Sequence, residues 1–238
     1  MLFSLVQKCP DLRFWLNDSN LELINAYRVV QNNVDALIES LEKHQNTPEY
    51  FYQIRALDRE RCFFALSPVE RASRMIYLNK TCFNGLFRVN SKGQFNTPFG
   101  NYKKPNIVSE STLRACAKAL ENVKITQFDY SESLDMLDKQ SFVYLDPPYE
   151  PISESSSFRS YTNTGFDKAE QIRLFEFCQR LTKRKVKFML SNSSAPWIKA
   201  LYEKEEAFNV ITVSAKRSVN SQGHGRGPVP EIIVRNYR

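Results

Sequence analysis

The chain has 238 residues, 42% hydrophobic and 25% charged, with 33 Lys and Arg against 26 Asp and Glu. That length suits one α/β domain, or one domain with an insert, and the composition is that of an ordinary globular protein. No apolar run approaches the roughly 18 residues needed to cross a membrane, and the opening Met1-Leu2-Phe3-Ser4-Leu5-Val6 lacks the charged stretch of a secretory signal.

The formal charge of +7 permits a polyanionic partner without demanding one. Five cysteines (Cys9, Cys62, Cys82, Cys116, Cys178) form no Cys-x-x-Cys pair and read as reduced, mostly buried thiols of a cytoplasmic protein. With only His44 and His224, a His-based zinc site or a Ser-His-Asp triad has little to draw on. His44 lies in a Glu-, Lys- and Gln-rich helix end and reads as solvated. No metal is expected, so the chemistry falls to carboxylates, amides, aromatics and backbone.

In chain order, the opening segment reads as a stub of helix stopped by Pro10. Arg13-Phe14-Trp15-Leu16 reads as a short strand ending at Asn17-Asp18. Leu21, Ile24, Val29 and Val30 then open a helical pattern running to about Lys43, with Asp18, Ser19 or Asn20 available to cap it. Pro68 suits the first position of another helix, through Val69, Ala72, Met75, Ile76 and Leu78. The stretch from Thr81 to Pro105 holds three of the seven glycines and keeps no period, so it reads as loops and a hairpin around Ser91-Lys92-Gly93.

From residue 109 an alternation sets in. A helix at about 109–121 leads to a strand at Val123 to Phe128, and a short helix leads to a strand at Phe142 to Leu145. Helices at about 167–183 and 195–204 precede strands at Val186 to Leu190 and Phe208 to Val213. Ile232-Ile233-Val234 forms a last strand. Helices between short apolar strands imply a parallel sheet covered on both faces, with a ligand crevice beyond the strands' carboxyl ends. No helix separates the last two strands, which predicts an antiparallel pair. The loop-rich 81–105 segment would be an insert beside that crevice.

The strongest chemical signal is Asp146-Pro147-Pro148-Tyr149, directly after the apolar Phe142-Val143-Tyr144-Leu145. A carboxylate stands where a parallel sheet opens its crevice. Two prolines fix the backbone and remove N–H donors, leaving carbonyls to act as acceptors. A tyrosine follows with a flat face for stacking. The set suits an exocyclic amino group, with Asp146 accepting one hydrogen bond, the Pro147 carbonyl the other, and Tyr149 stacked on the ring. A proline-rich turn that merely ends a strand is the plainer alternative.

Asp-Pro-Pro-Tyr after a strand resembles the signature of the S-adenosylmethionine-dependent amino methyltransferases, above all those acting on adenine N6 in DNA. A second string narrows this. Phe83-Asn84-Gly85-Leu86-Phe87-Arg88-Val89-Asn90, continued by Gly93-Gln94-Phe95-Asn96-Thr97-Pro98-Phe99-Gly100-Asn101-Tyr102-Lys103-Lys104, resembles the target-recognition insert of the Dam-like, or D12 class, DNA adenine methyltransferases.

The resemblance implies a Rossmann-like methyltransferase sheet with an antiparallel last strand pair and an inserted DNA-recognition subdomain. Residues 1–45 and 106–238 would form the catalytic domain, and 46–105 the insert. The implied partner is double-stranded DNA, with the target adenine of GATC flipped into the pocket, and no membrane is involved. Arg88 would read guanine through its O6 and N7, with Leu86 and Pro98 against a thymine methyl. Phe83 would wedge into the gap left by the flipped base. Asn84, Tyr102, Lys103 and Lys104 would contact phosphates or support that site.

For S-adenosylmethionine, the resemblance implies Asp18 on a ribose hydroxyl, Phe128, Asp129 and Tyr130 around its adenine, and Asp146 as a further cofactor-binding residue. Ser191-Asn192 matches weakly a motif lining the base pocket. Lys216-Arg217-Ser218 and Glu231 resemble a DNA-facing hairpin, with Arg217 as its DNA contact. Asn101 departs from the family, where a basic residue is frequent, and should weaken backbone affinity without changing sequence preference.

The family opens with a Gly-Gly-Lys segment and a strand running into Phe-x-Gly-x-Gly, whose glycines let the backbone approach the donor. No glycine occurs here before Gly85, so the first strand and cofactor loop are expected to be absent. Two function classes follow. One is a catalyst, active as it stands or completed by a separately encoded N-terminal piece, with a cognate restriction enzyme as a further candidate partner. The other is an inactive remnant that binds GATC. Methylation of RNA or of a protein glutamine fits less well, since glutamine methyltransferases place Asn before Pro-Pro-Tyr.

Overall fold

A computed structural model describes residues 1–150, 166–216 and 228–238. It forms two compact units of mixed α/β structure, Met1–Tyr130 and Ser131–Arg238.

The first unit is mainly helical: α1 (Leu2–Lys8), α2 (Leu21–Asn32), α3 (Val34–Glu42), α4 (Pro48–Ala56), α5 (Pro68–Thr81) and α6 (Glu110–Leu120). Strands β1 (Trp15–Asn17) and β2 (Lys124–Thr126) pair in parallel, with Asn17 opposite Thr126. Of the three expected caps, Asn20 is the one used, its side chain accepting from Glu22 N and Leu23 N. The predicted run to Lys43 is two helices, because Asn33 leaves helical geometry at φ −140°. Consecutive asparagines favour such a break, since their side chains compete for backbone groups, and the Asn32 amide does donate to the Arg28 carbonyl.

The sequence reading gave no helix at 48–56, although Thr47 and Pro48 supply a cap and a first helical residue. At α5 the start is as expected, and a reciprocal Ser67–Glu70 capping box fixes it. Val29, Leu37, Leu41, Phe51, Tyr77, Leu78 and Leu120 form the core of this unit. From α2, Gln31 donates to the Leu120 and Val123 carbonyls and so anchors the entry to β2.

His44 is not the solvated residue the sequence suggested. Its ring stacks on Tyr77 at 4.2 Å, with Nδ1 against the Tyr50 hydroxyl and Nε2 against Ser73 Oγ. These partners come from α4 and α5, which a local reading cannot supply. Burial pushes its pKa down from 6.5 to about 4. The folded state therefore favours the neutral ring, and stability present above pH 6.5 is lost as pH falls toward about 4. Melting temperatures should drop across that window, and His44→Gln should flatten the drop; superimposable profiles for the two proteins would contradict this.

The cysteine expectation also needs correction. All five are free, but only Cys82 and Cys178 are buried; Cys9 and Cys116 are half-buried and Cys62 is exposed. Neither neighbouring residue types nor spacing distinguished them. Among the described residues no helix is long and apolar enough to cross a membrane.

The second unit holds a four-stranded sheet of β3 (Phe142–Leu145), β4 (Lys187–Ser193), β5 (Asn209–Lys216) and β6 (Pro228–Arg235) in the order β3-β4-β6-β5. Strands β3 and β4 are parallel, and β6 runs antiparallel to both β4 and β5. The predicted antiparallel last pair is thus present. Helices α7 (Lys168–Lys183) and α8 (Pro196–Glu203) pack on this unit, with Leu174, Phe177, Leu181 and Ile198 buried beside Phe188, Leu190, Ile232 and Val234.

Strand β6 is longer than its predicted three-residue core. Pairing with β4 stops at Glu231, so among the described residues Pro228 and Pro230 lie where β6 pairs with β5 alone. A residue without an N–H is tolerated on such an edge.

Candidate active site

At the carboxyl end of β3 stand the four residues of the Asp-Pro-Pro-Tyr string. Asp146 is exposed, and its Oδ1 accepts from Ser191 Oγ at 2.9 Å. Ser191 is itself buried on β4, in contact with the Tyr144 hydroxyl at 3.1 Å. The parallel register of β3 and β4 brings the two strand ends together, with Leu145 opposite Leu190. One carboxylate oxygen is thereby fixed, which orients the other.

The Pro148 carbonyl accepts from Gln171 Nε2 at 3.0 Å. Gln171 is buried on α7, and its Oε1 accepts from the buried Asn192 amide at 3.0 Å. This chain ties the turn to both α7 and β4. Replacing Gln171 by Leu would strip partners from the exposed Pro148 carbonyl and from the buried Asn192 amide, at about 1–3 kcal/mol for the amide left buried and unpaired. We expect a lower denaturant midpoint together with slower turnover; unchanged stability would show that the pairing is dispensable.

Tyr149 is half-buried, and its hydroxyl donates to Glu231 Oε2 at 3.4 Å. Burial first, then the negative charges of Asp146 and Glu231, push its pKa up to about 12, against a lowering hydrogen bond with Ser191. The ring therefore stays a neutral phenol. Glu231, which the sequence places on the last hairpin, thus contacts this tyrosine. Next along the chain, Glu150 accepts from the Trp197 indole at 3.3 Å.

In the first unit, the candidate donor-binding residues follow β1 and β2. Asp18 comes directly after β1, and Phe128, Asp129 and Tyr130 come two to four residues after β2. Asn17 Nδ2 donates to the Phe128 carbonyl at 3.0 Å, while Thr126 Oγ1 donates to Asn17 Oδ1 at 2.9 Å. The Phe128 ring meets Trp15 edge-on at 5.7 Å. Asp18 accepts from Asn20 N at 2.7 Å. Two carboxylates, Asp18 and Asp129, thus stand at the carboxyl ends of neighbouring parallel strands.

The candidate recognition residues lie after α5. Asn84 and Gly85 both take positive φ, 54° and 62°, a turn that asparagine and glycine tolerate best. It leaves Phe83 and Leu86 each 42% exposed. Phe83 N donates to the Pro98 carbonyl at 2.8 Å, so Phe83 and Pro98 are neighbours. Val89 bridges Phe95 in antiparallel fashion, with the expected turn at 91–93 between them. Arg88 is exposed and donates to Asn96 from Nε and Nη2. Asn84, Tyr102 and Lys104, with Lys80, help line a cleft of about 400 Å³, and Lys103 beside it is exposed. Arg217 lies outside the described residues.

Sequence reasoning missed Gln171, although a signal was available. Gln171, Leu174, Phe175 and Cys178 share one helical face, so a polar residue sits in an apolar stripe. It also gave Ser191 little weight and did not foresee the contact of Glu231 with Tyr149. Among the described residues, no group of three or more His, Cys, Asp or Glu side chains is arranged to hold a metal ion.

Comparison with known proteins adds an independent line. Residues 2–219 match the profile of the D12 class N6 adenine-specific DNA methyltransferases. The chain is 42% identical over 226 residues to the type II methyltransferase M1.LlaDCHI of Lactococcus lactis subsp. cremoris, covering 93% of this chain and 78% of that protein. It is 41% identical over 248 residues to the type II methyltransferase M.MjaIII of Methanocaldococcus jannaschii, covering 100% and 84%. The DNA adenine methylase of Escherichia coli (strain K12) is 32% identical over 226 residues, covering 93% and 78%. On these matches, the chain belongs to the D12 class of N6 adenine-specific DNA methyltransferases.

Proposed function

We propose that this chain transfers the methyl group of S-adenosylmethionine to N6 of adenine in duplex DNA, at GATC. The observation that carries the reading is Asp146, fixed by Ser191 through one oxygen at the end of β3. Its other oxygen and the Pro147 carbonyl are acceptors suited to the two N–H groups of an adenine amine. Tyr149, a neutral phenol held by Glu231, would stack on the flipped base.

The two acceptors draw the amine hydrogens and leave the nitrogen lone pair directed at the methyl group. Catalysis is then positioning plus electrostatics, with no covalent enzyme intermediate. Asp18 suits a ribose hydroxyl of the donor, and Phe128, Asp129 and Tyr130 suit its adenine. The fit rests on two carboxylates and an aromatic ring at adjacent strand ends. Bound there, S-adenosylmethionine supplies an electrophilic methyl group on a sulfonium.

For DNA, the exposed guanidinium of Arg88 suits guanine O6 and N7. Exposed Leu86 and Pro98 suit a thymine methyl, and Phe83 the gap left by the flipped base. Asn84, Tyr102, Lys103 and Lys104 suit phosphates, with Arg217 a further contact. In this reading residues 1–45 and 106–238 are the catalytic domain and 46–105 the recognition insert.

The first strand and glycine-rich loop of a Rossmann-like sheet would come from outside residues 1–238, as a preceding segment or a separate piece. Strands β1 and β3 each have an edge that pairs with no strand among the described residues, so each can accept a parallel neighbour. Donor titration by calorimetry, with and without a peptide carrying that loop, should show tighter binding with it.

Relatives named type II methyltransferases favour a cognate restriction enzyme as a partner, and the reading entails a cytoplasmic site of action. The catalytic reading is preferred to that of a DNA-binding remnant because the Asp146 turn and its supports are intact. Labelled donor offered with a GATC duplex, a duplex lacking GATC and single-stranded RNA should label the first alone. Equal labelling of RNA would overturn the DNA reading.

A further inference from the structure

Three charged residues that the recognition and catalytic readings do not use converge on the hairpin bearing Arg88, and a fourth anchors them. Asp58 and Arg59 end the short 3-10 turn Leu57–Arg59 that continues α4. Asp58 Oδ2 accepts from Phe95 N at 2.7 Å, and Arg59 Nη2 donates to the Phe95 carbonyl at 2.9 Å. Both backbone polar groups of Phe95 are therefore held by adjacent side chains. Two residues on, Arg55 Nη1 donates to the Thr97 carbonyl at 3.2 Å.

The clamp itself is anchored. Buried Arg74, from α5, pairs with Asp58 Oδ2 at 2.8 Å and donates to the Ile54 and Arg55 carbonyls. Arg59 also pairs with Asp58 Oδ1 at 2.7 Å.

Alternation along an extended strand gives the clamp its consequence. Residues 95 and 97 are buried against the helices, which turns Asn96 to the opposite side. There its Oδ1 and carbonyl accept from Arg88 Nε and Nη2 at 2.7 and 3.3 Å, and its N–H donates to the Arg88 carbonyl at 2.9 Å. An arginine on a flexible stem reads a base well only when its fork is held beforehand.

We propose that Arg59 and Asp58, with Arg55, are positioning residues for sequence recognition: they fix strand 95–97 so that Asn96 presents Arg88 to the DNA. The inference rests on the reading of Arg88 as the base reader. Arg59 is the residue to test, because it is exposed while Asp58 and Arg74 form a buried pair whose loss threatens the fold.

The experiment measures, at one salt concentration, the affinity of the whole chain for a GATC duplex and for a duplex altered at its guanine pair. The wild type, Arg59→Ala, Arg88→Ala and the double variant are compared, with melting curves for each. Arg59→Ala should cut the affinity ratio between the duplexes by about tenfold at an unchanged melting temperature. In the Arg88→Ala background it should change the ratio no further. A ratio unaffected by Arg59→Ala, or lowered equally in both backgrounds, would overturn the positioning role while leaving Arg88 as reader. A ratio unaffected by Arg88→Ala would overturn the reading of Arg88 itself.

Discussion

Asp146→Asn should lower the turnover of methyl transfer by at least about 10²–10³-fold, the usual cost of losing one preorganised group at a reacting centre. The substitution keeps the volume of the side chain and leaves an oxygen for the Ser191 hydroxyl, which donates to Asp146 Oδ1 at 2.9 Å. With that oxygen engaged, the new NH₂ faces the substrate, opposing a donor to the adenine amine where an acceptor is required. Affinity for DNA should hardly change, because the candidate recognition residues, those in 83–104 and Arg217, are left intact. The loss should therefore appear in kcat and in kcat/KM together. A variant that lost affinity but kept turnover would mean that Asp146 serves only the fold.

Arg88→Ala should act in the opposite way. A bidentate arginine–guanine pair is worth about 1–3 kcal/mol of discrimination, so preference for GATC over a site altered at the guanine should fall about ten- to a hundredfold. Binding to unrelated duplex should fall far less, since phosphate contacts from Lys103 and Lys104 would persist. The side chain is exposed and among the described residues it bonds to Asn96 of the same hairpin, so stability should be close to unchanged. Discrimination measured by competition between labelled duplexes checks this; an unchanged preference would place the guanine reader elsewhere.

What was legible in the sequence was what local pattern determines. The start of α5 is written in Ser67, Pro68 and Glu70, which cap it without help from distant residues. The junction of β3 with Asp146-Pro147-Pro148-Tyr149 was legible because an apolar run stops at residues that cannot extend a strand. The antiparallel pairing of β5 and β6 was legible because the sequence shows no helical pattern between the two apolar runs.

The rest depended on partners far away in the chain. His44 looked solvated because its neighbours in sequence are polar, yet it contacts Ser73 and Tyr77 on α5. Gln171 reaches Pro148 across 23 positions, and Asp58 reaches Phe95 across 37. The break at Asn33 was hidden because apolar positions on both sides keep a helical spacing. Pro228 and Pro230 masked the first half of β6, since a proline argues against a strand until its edge is known to be open.

The most direct test of the central claim is nucleoside analysis of a GATC duplex incubated with S-adenosylmethionine and the chain, supplemented with the loop-bearing peptide. The account predicts N6-methyladenine in the digest with the wild-type protein and none above background with Asp146→Ala. Methylation at cytosine, or N6-methyladenine formed equally well by Asp146→Ala, would contradict it.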